Sequence, residues 1–278
     1  VVYVQGTFCY KVKIVNDPFV PIFRKLNVKY PEEYFIGKNA RGEFGIVEEG
    51  ATYYPITYSG TAFFISTDGK MMTNRHVACP WEYRTEEEVT EIQQVMRREK
   101  DRLLPVDALQ TESQIMEFDR QEFIMKDYLL YLYKGGYSLR ELSALVAGFK
   151  DAKIEITGLQ TSLGVGYANK MYDSADQLDP CVMILESGDD NIDLAILQLN
   201  STKTPADVTK IIDVSKAIVD PNEISPLEES YYYIGYPSEL GGVNLDNQDG
   251  GLKPQLNELK VSGTPGKYQI NLQGEVFG

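Results

Sequence analysis

His76 is the only histidine in this chain of 278 residues, and its imidazole is the side chain whose ordinary titration lies near neutral pH. An imidazole can take a proton from an attacking hydroxyl and return it to a leaving group. A hydroxyl nucleophile needs that help, because its own pKa lies far above neutrality. The imidazole in turn needs a carboxylate on one ring nitrogen, and the nucleophile needs donors for the developing oxyanion. Asp193 is a candidate carboxylate: it follows the polar Asp189-Asp190-Asn191 and leads into the apolar run Leu194–Leu199. An aspartate there either caps a strand or serves an imidazole. A lone histidine is by default a structural or surface residue, so the flanking residues decide.

Those residues are Gly60-Thr61-Ala62-Phe63-Phe64-Ile65-Ser66-Thr67-Asp68-Gly69-Lys70-Met71-Met72-Thr73-Asn74-Arg75-His76-Val77. They read as two apolar strands joined by an Asp-Gly turn, then Thr-Asn-x-His-Val. The segment resembles the histidine signature of trypsin-like serine peptidases in their bacterial, HtrA-like form. Asp193-Leu194-Ala195-Ile196-Leu197 resembles the aspartate segment of the same family and follows His76 in the family's order. The resemblance implies His76 as general base and then acid, and Asp193 as the group that orients it. It implies a serine endopeptidase without a cofactor, acting on peptide or protein substrates. The fold it implies is mostly β with a helical insertion, built as a trypsin-like double antiparallel β-barrel.

The family's serine motif, Gly-x-Ser-Gly, is expected just beyond Gly278, because Tyr268–Gly278 resembles the strand and loop that precede it. Ser262, in Val261-Ser262-Gly263-Thr264-Pro265, lacks the glycine two places earlier and reads as a turn residue. On this reading the second barrel is incomplete in the chain. Three explanations compete: a longer protein, one fragment of a cleaved protein, or a catalytically inactive peptidase-like domain that binds peptides or a partner. A barrel left open would carry unpaired edges, and Val1 opens mid-strand, so the first two are favoured. A further reading keeps the fold and places a cysteine nucleophile at the same position.

Composition narrows the partners. With 43% hydrophobic and 24% charged residues the chain is an ordinary globular protein,. A formal charge of −14 argues against nucleic-acid binding,, and no apolar run is long enough to suggest membrane contact. Cys9, Cys79 and Cys181 are too few and scattered for a disulfide framework,. Val77 follows the histidine where animal trypsins place cysteine, which points to the bacterial branch. Cys79 lies near His76, but without a second histidine or a Cys-x-x-Cys pair a zinc site is not expected, and a buried, inert thiol is. That branch leans towards a secreted, periplasmic or membrane-anchored protein, while the cysteine count fits a reducing compartment equally well.

The first barrel is assigned to residues 1–199, with strands expected at 153–157 and 181–186. Two insertions interrupt it. Residues 16–55, carrying Pro18, Pro21 and Pro31, read as a surface excursion or an extra hairpin. Residues 81–150 read as helical, punctuated by the capping boxes Thr85-x-x-Glu88, Thr111-x-x-Gln114 and Ser138-x-x-Glu141,. Val89, Ile92 and Met96 form a helical stripe, and Ile115, Phe118 and Tyr128–Tyr133 suggest a second helix. This insertion is either a stabilising hairpin or a lid and docking element for a protein partner. Residues 200–224 read as a linker with a short helix, and 225–278 as the start of the second barrel. There, Tyr231–Pro237 resembles the family's strand ending in Gly-Tyr-Pro.

Overall fold

Alternation of small or apolar side chains with polar ones sets the architecture, because successive residues of a strand face opposite sides. A computed structural model describes residues 1–27, 29–50, 52–105, 125–216, 231–236, 252–266 and 269–273. Its first elements are β1 (Val2–Ile14), α1 (Val20–Lys25), β2 (Glu33–Lys38), β3 (Phe44–Ile46), β4 (Ile56–Phe64) and β5 (Lys70–Thr73). There follow α2 (Arg75–Ala78), a 3-10 turn (Pro80–Tyr83), α3 (Glu86–Leu103), α4 (Lys126–Lys134) and α5 (Leu139–Asp151). The remaining strands are β6 (Ile154–Tyr167), β7 (Asp179–Glu186), β8 (Ala195–Leu199), β9 (Tyr231–Gly235), β10 (Gln255–Gly266) and β11 (Gln269–Gln273). Two units emerge. One comprises Val1–Phe8, Ile56–Tyr83 and Gln160–Gly278, the other Cys9–Pro55 and Arg84–Leu159.

In the first unit six antiparallel strands close into a barrel in the order β1-β4-β5-β8-β7-β6, and β6 returns to β1. Its interior is filled by Val2, Val4, Ala62, Phe64, Met71, Leu163, Val165, Cys181, Leu197 and Leu199, all buried. A closed barrel leaves no strand edge exposed along its wall. The β4–β5 turn is the expected Asp-Gly one: Gly69 has φ +85°, a conformation glycine adopts without a Cβ penalty. The Ile65 N–H donates to the Lys70 carbonyl across it at 3.0 Å.

The same unit holds a three-stranded sheet in the order β11-β10-β9. Tyr236, just past β9, is buried with Tyr3, Tyr172, Leu178 and Leu252. Its backbone N–H donates to Thr61 Oγ1 at 2.8 Å, and its ring meets Tyr3 edge-on at 5.5 Å. Ser262, expected in a turn, lies instead inside β10, where the pairing with β11 slips between Val261 and Gly263. A bulge absorbs the extra residue there and the strand continues.

In the second unit the far half of β1 pairs with β2, and β2 with β3. Two of the three capping boxes are formed: Thr85 with Glu88 at the start of α3, and Ser138 with Glu141 at the start of α5. Thr111, Ile115 and Phe118 lie outside the described residues. The buried face of α3 is Ile92, Val95, Met96, Glu99, Lys100 and Leu103, a 3.6-residue period. Val89, expected in this stripe, is half-buried. Tyr128–Tyr133 lie on α4, which buries Leu129 and Leu132 and leaves Tyr131 exposed. No described helix is long and apolar enough to cross a membrane.

Candidate active site

Strand register brings the two candidate residues together. Thr73, at the end of β5, stands opposite Ala195, at the start of β8. The chain continues past Thr73 for three residues to His76, and Asp193 precedes Ala195 by two, so antiparallel pairing delivers both to the same end of the barrel. Thr73 is itself buried and donates its hydroxyl to the Thr61 carbonyl at 2.7 Å.

Asn74 then leaves the strand in an extended conformation and opens the single turn α2. The N–H groups of Val77 and Ala78 both donate to the Asn74 carbonyl at 3.1 Å, and that of Cys79 to the Arg75 carbonyl at 2.7 Å. Val77, Ala78 and Cys79 point into the barrel core. The turn is therefore pinned by its apolar side, which leaves His76 partly exposed.

Asp193 reaches His76 at two points. Its Oδ1 accepts the His76 backbone N–H at 2.9 Å, and its Oδ2 lies 2.5 Å from ring Nδ1. An ionised carboxylate only accepts, so Nδ1 carries the proton and Nε2 is left as the basic nitrogen of the neutral ring. Oδ1 also accepts the Tyr83 hydroxyl at 3.1 Å, and the Tyr83 ring stands nearly perpendicular to the imidazole at 5.9 Å. Burial pushes the Asp193 carboxyl up. The bonds from the His76 backbone and ring, the imidazole charge and the Tyr83 hydroxyl outweigh it and hold the group below its ordinary 3.8. Burial first, then the carboxylate, push the Tyr83 phenol up, so it remains a donor at neutral pH.

Arg75, the neighbour of His76, makes a second set of ties. Its Nε and Nη2 donate to Glu82 Oε2 at 3.0 and 2.6 Å, and its Nη1 to Asp190 Oδ1 at 3.2 Å. Glu186, at the end of β7, lies 3.7 Å away. Asp189 shapes the loop between: its carboxylate accepts the Asn191 backbone N–H at 3.0 Å. Asp190 is solvated apart from its pair with Arg75.

Cys79 is buried, with Sγ 3.2 Å from Met183 Sδ and 3.3 Å from Glu186 Oε2. Burial first, then Glu186, push its thiol up to about 12, which keeps it a poor nucleophile. Donor atoms of Cys79, Glu82 and Glu186 lie within 4.8 Å of one another, a spacing a cation can use. The Arg75 guanidinium already supplies positive charge to both glutamates.

Comparison with protein-family models, with curated proteins and with solved structures gives no match. The site therefore rests on its own geometry. The sequence pointed to His76 and Asp193, and the fold brings the two together. It did not point to Tyr83, Glu82 or Arg75. Trp81–Tyr83 fall within the 81–150 insertion expected from the sequence and lie in the barrel unit. Arg75 occupies the variable place of Thr-Asn-x-His-Val. The one signal available was that a charged side chain, Arg75, stands directly beside the histidine, with Glu82 and Tyr83 only six and seven positions further on.

Proposed function

We propose that this chain is the histidine- and aspartate-bearing part of a trypsin-like serine endopeptidase of the bacterial, HtrA-like type. His76 acts as general base and then acid, and Asp193 orients it. The observation that carries the reading is the 2.5 Å contact between His76 Nδ1 and Asp193 Oδ2, at the rim of a closed six-stranded barrel. In this reading a serine hydroxyl gives its proton to Nε2 as its oxygen attacks the peptide carbonyl. The imidazolium is stabilised by Asp193, and the same proton passes to the departing amine. Water then repeats the sequence on the acyl-enzyme. The serine is the one that the resemblance puts beyond Gly278, and the β9–β10–β11 sheet is the start of a second barrel. The 81–150 segment is a candidate docking element for a protein partner.

The test is the native protein treated with a fluorophosphonate probe and analysed by intact mass and peptide mapping. One adduct on a serine, lost in Asp193→Asn, supports the reading. No adduct and no hydrolysis of unfolded protein substrates would overturn it in favour of a peptidase-like binding domain. An adduct replaced by rapid thiol alkylation at the same peptide would make the nucleophile a cysteine.

A further inference from the structure

Two neighbouring pairs of residues are tied together around the loop that carries Asp190 and Asp193. Arg75 and His76, on α2, reach Asp190 and Asp193 respectively. Glu82 and Tyr83, on the 3-10 turn, reach Arg75 and Asp193 respectively. The ties form a closed circuit: His76 to Asp193, Asp193 to Tyr83, Tyr83 by covalent chain to Glu82, Glu82 to Arg75, and Arg75 by covalent chain back to His76. We propose that Tyr83 is a positioning residue of this site, fixing the Asp193 carboxylate so that Oδ2 faces the imidazole.

The geometry requires such a residue. Asp193 is about two-fifths exposed, and a carboxylate with open solvent beside it can rotate to trade a protein donor for water. Oδ1 is held by two donors from different elements, the His76 backbone N–H and the Tyr83 hydroxyl. With Oδ1 fixed from two directions, the rotation that would take Oδ2 off Nδ1 breaks a bond at either setting. The Tyr83 ring, set edge-on to the imidazole, also covers one side of the pair. Tyr83 is itself held through Glu82, whose carboxylate accepts two guanidinium N–H bonds from Arg75. The hydrogen bond of Tyr83 goes to Asp193, and its influence on the imidazole passes through that carboxylate.

The inference rests on the peptidase reading only where turnover is measured. The chain's single histidine allows a second readout that needs no substrate, because a low-field imidazole proton signal in the NMR spectrum can come from His76 alone. In Tyr83→Phe, exchange of the His76 Nδ1 proton with water accelerates by about fivefold, the scale of one lost hydrogen bond. Turnover falls by about tenfold with KM within about twofold, since an orienting contact acts on the chemical step. 3-Fluorotyrosine at position 83, a stronger donor of nearly the same shape, slows the exchange. It also keeps the test open should Tyr83→Phe fold poorly. Exchange unchanged in both variants overturns the proposal. Altered exchange in the variants, with a wild-type protein that takes no fluorophosphonate, leaves Tyr83 as the positioning residue and removes the peptidase reading instead.

Discussion

Gly60 and Val77 stand so close that a Cβ built on Gly60 would lie 2.5 Å from Val77 Cγ1 and 2.6 Å from Cγ2. Val77 is the residue after His76, so the one-turn helix that presents the imidazole rests directly on a bare stretch of β4 backbone. A β-branched side chain in a filled core has no free rotamer into which to retreat.

Gly60→Ala is therefore expected to push α2 outward and to cost about 2 kcal/mol of stability, the usual scale of overpacking. Val77→Ala in the same chain restores most of that loss. Urea unfolding of the two single variants and the double variant checks this. Additive losses would show that Gly60 and Val77 do not share the strain.

Asp193→Asn keeps the side chain's shape but places an amide donor or a neutral carbonyl against Nδ1. Turnover is expected to fall by about four orders of magnitude with the fold intact, as in the triad template. A steady-state peptide assay with a circular dichroism control tests it. A loss below about tenfold would remove Asp193 from the mechanism.

The depressed Asp193 carboxyl and the raised Tyr83 phenol give stability a pH window at this site. For an acid whose folded pKa lies below its unfolded value, the stabilisation is present above the ordinary 3.8 and is lost as pH falls through the folded value,. For the phenol, folded above its ordinary 10.0, stabilisation is present below that value and is lost as pH rises through the folded one,. The stability difference between wild type and Asp193→Asn should thus be largest at neutral pH and shrink below pH 3.8. Urea titrations of both proteins at a series of pH values measure it. A difference that grows on acidification would reverse the assigned sign.

Arg75→Gln removes charge from a guanidinium that ties Glu82 and Asp190. Turnover is expected to drop by about tenfold, inside the ~100-fold that a misplacement of an ångström can cause. Wild-type activity should decline in high salt more than that of the variant, because partly exposed ion pairs are screened. Equal salt dependence in the two proteins would show that the clasp does not reach the chemistry.

All three cysteines are buried and free, and burial pushes Cys79 and Cys181 up to about 12. Iodoacetamide at pH 8 should modify none of the three in the folded protein and all three in urea, read by mass. Rapid native labelling of Cys79 would show that the turn after His76 opens readily.

The barrel was largely legible because its strands announce themselves locally. The alternation in Ile154–Thr157, the apolar run Cys181–Leu185, and the Asp68-Gly69 turn between β4 and β5 need no tertiary information. His76 and Asp193 were legible for the same reason, each lying in a short, ordered pattern. The return of β6 onto β1 that closes the barrel was not, since no local residue specifies a partner strand so far along the chain. Tyr83 and Arg75 escaped notice for a related cause: their partners Asp193 and Asp190 are 110 and 115 positions away. Ser262 misled because Ser-Gly-Thr-Pro is turn chemistry, which the pairing of β10 with β11 overrides through a bulge.

The distance along the chain between His76 and Asp193, 117 positions, sets when the dyad can first exist. Contacts so remote in sequence form only after long loops have closed, and such closure is slow. As the chain leaves the ribosome, His76 waits through the whole of α3, α4, α5, β6 and β7 before its carboxylate is made. During that interval the imidazole has no Asp193 to fix its tautomer. Strand order thus acts as a timer: the paired imidazole and carboxylate are deferred until the segment that leads into β8 has docked against β5.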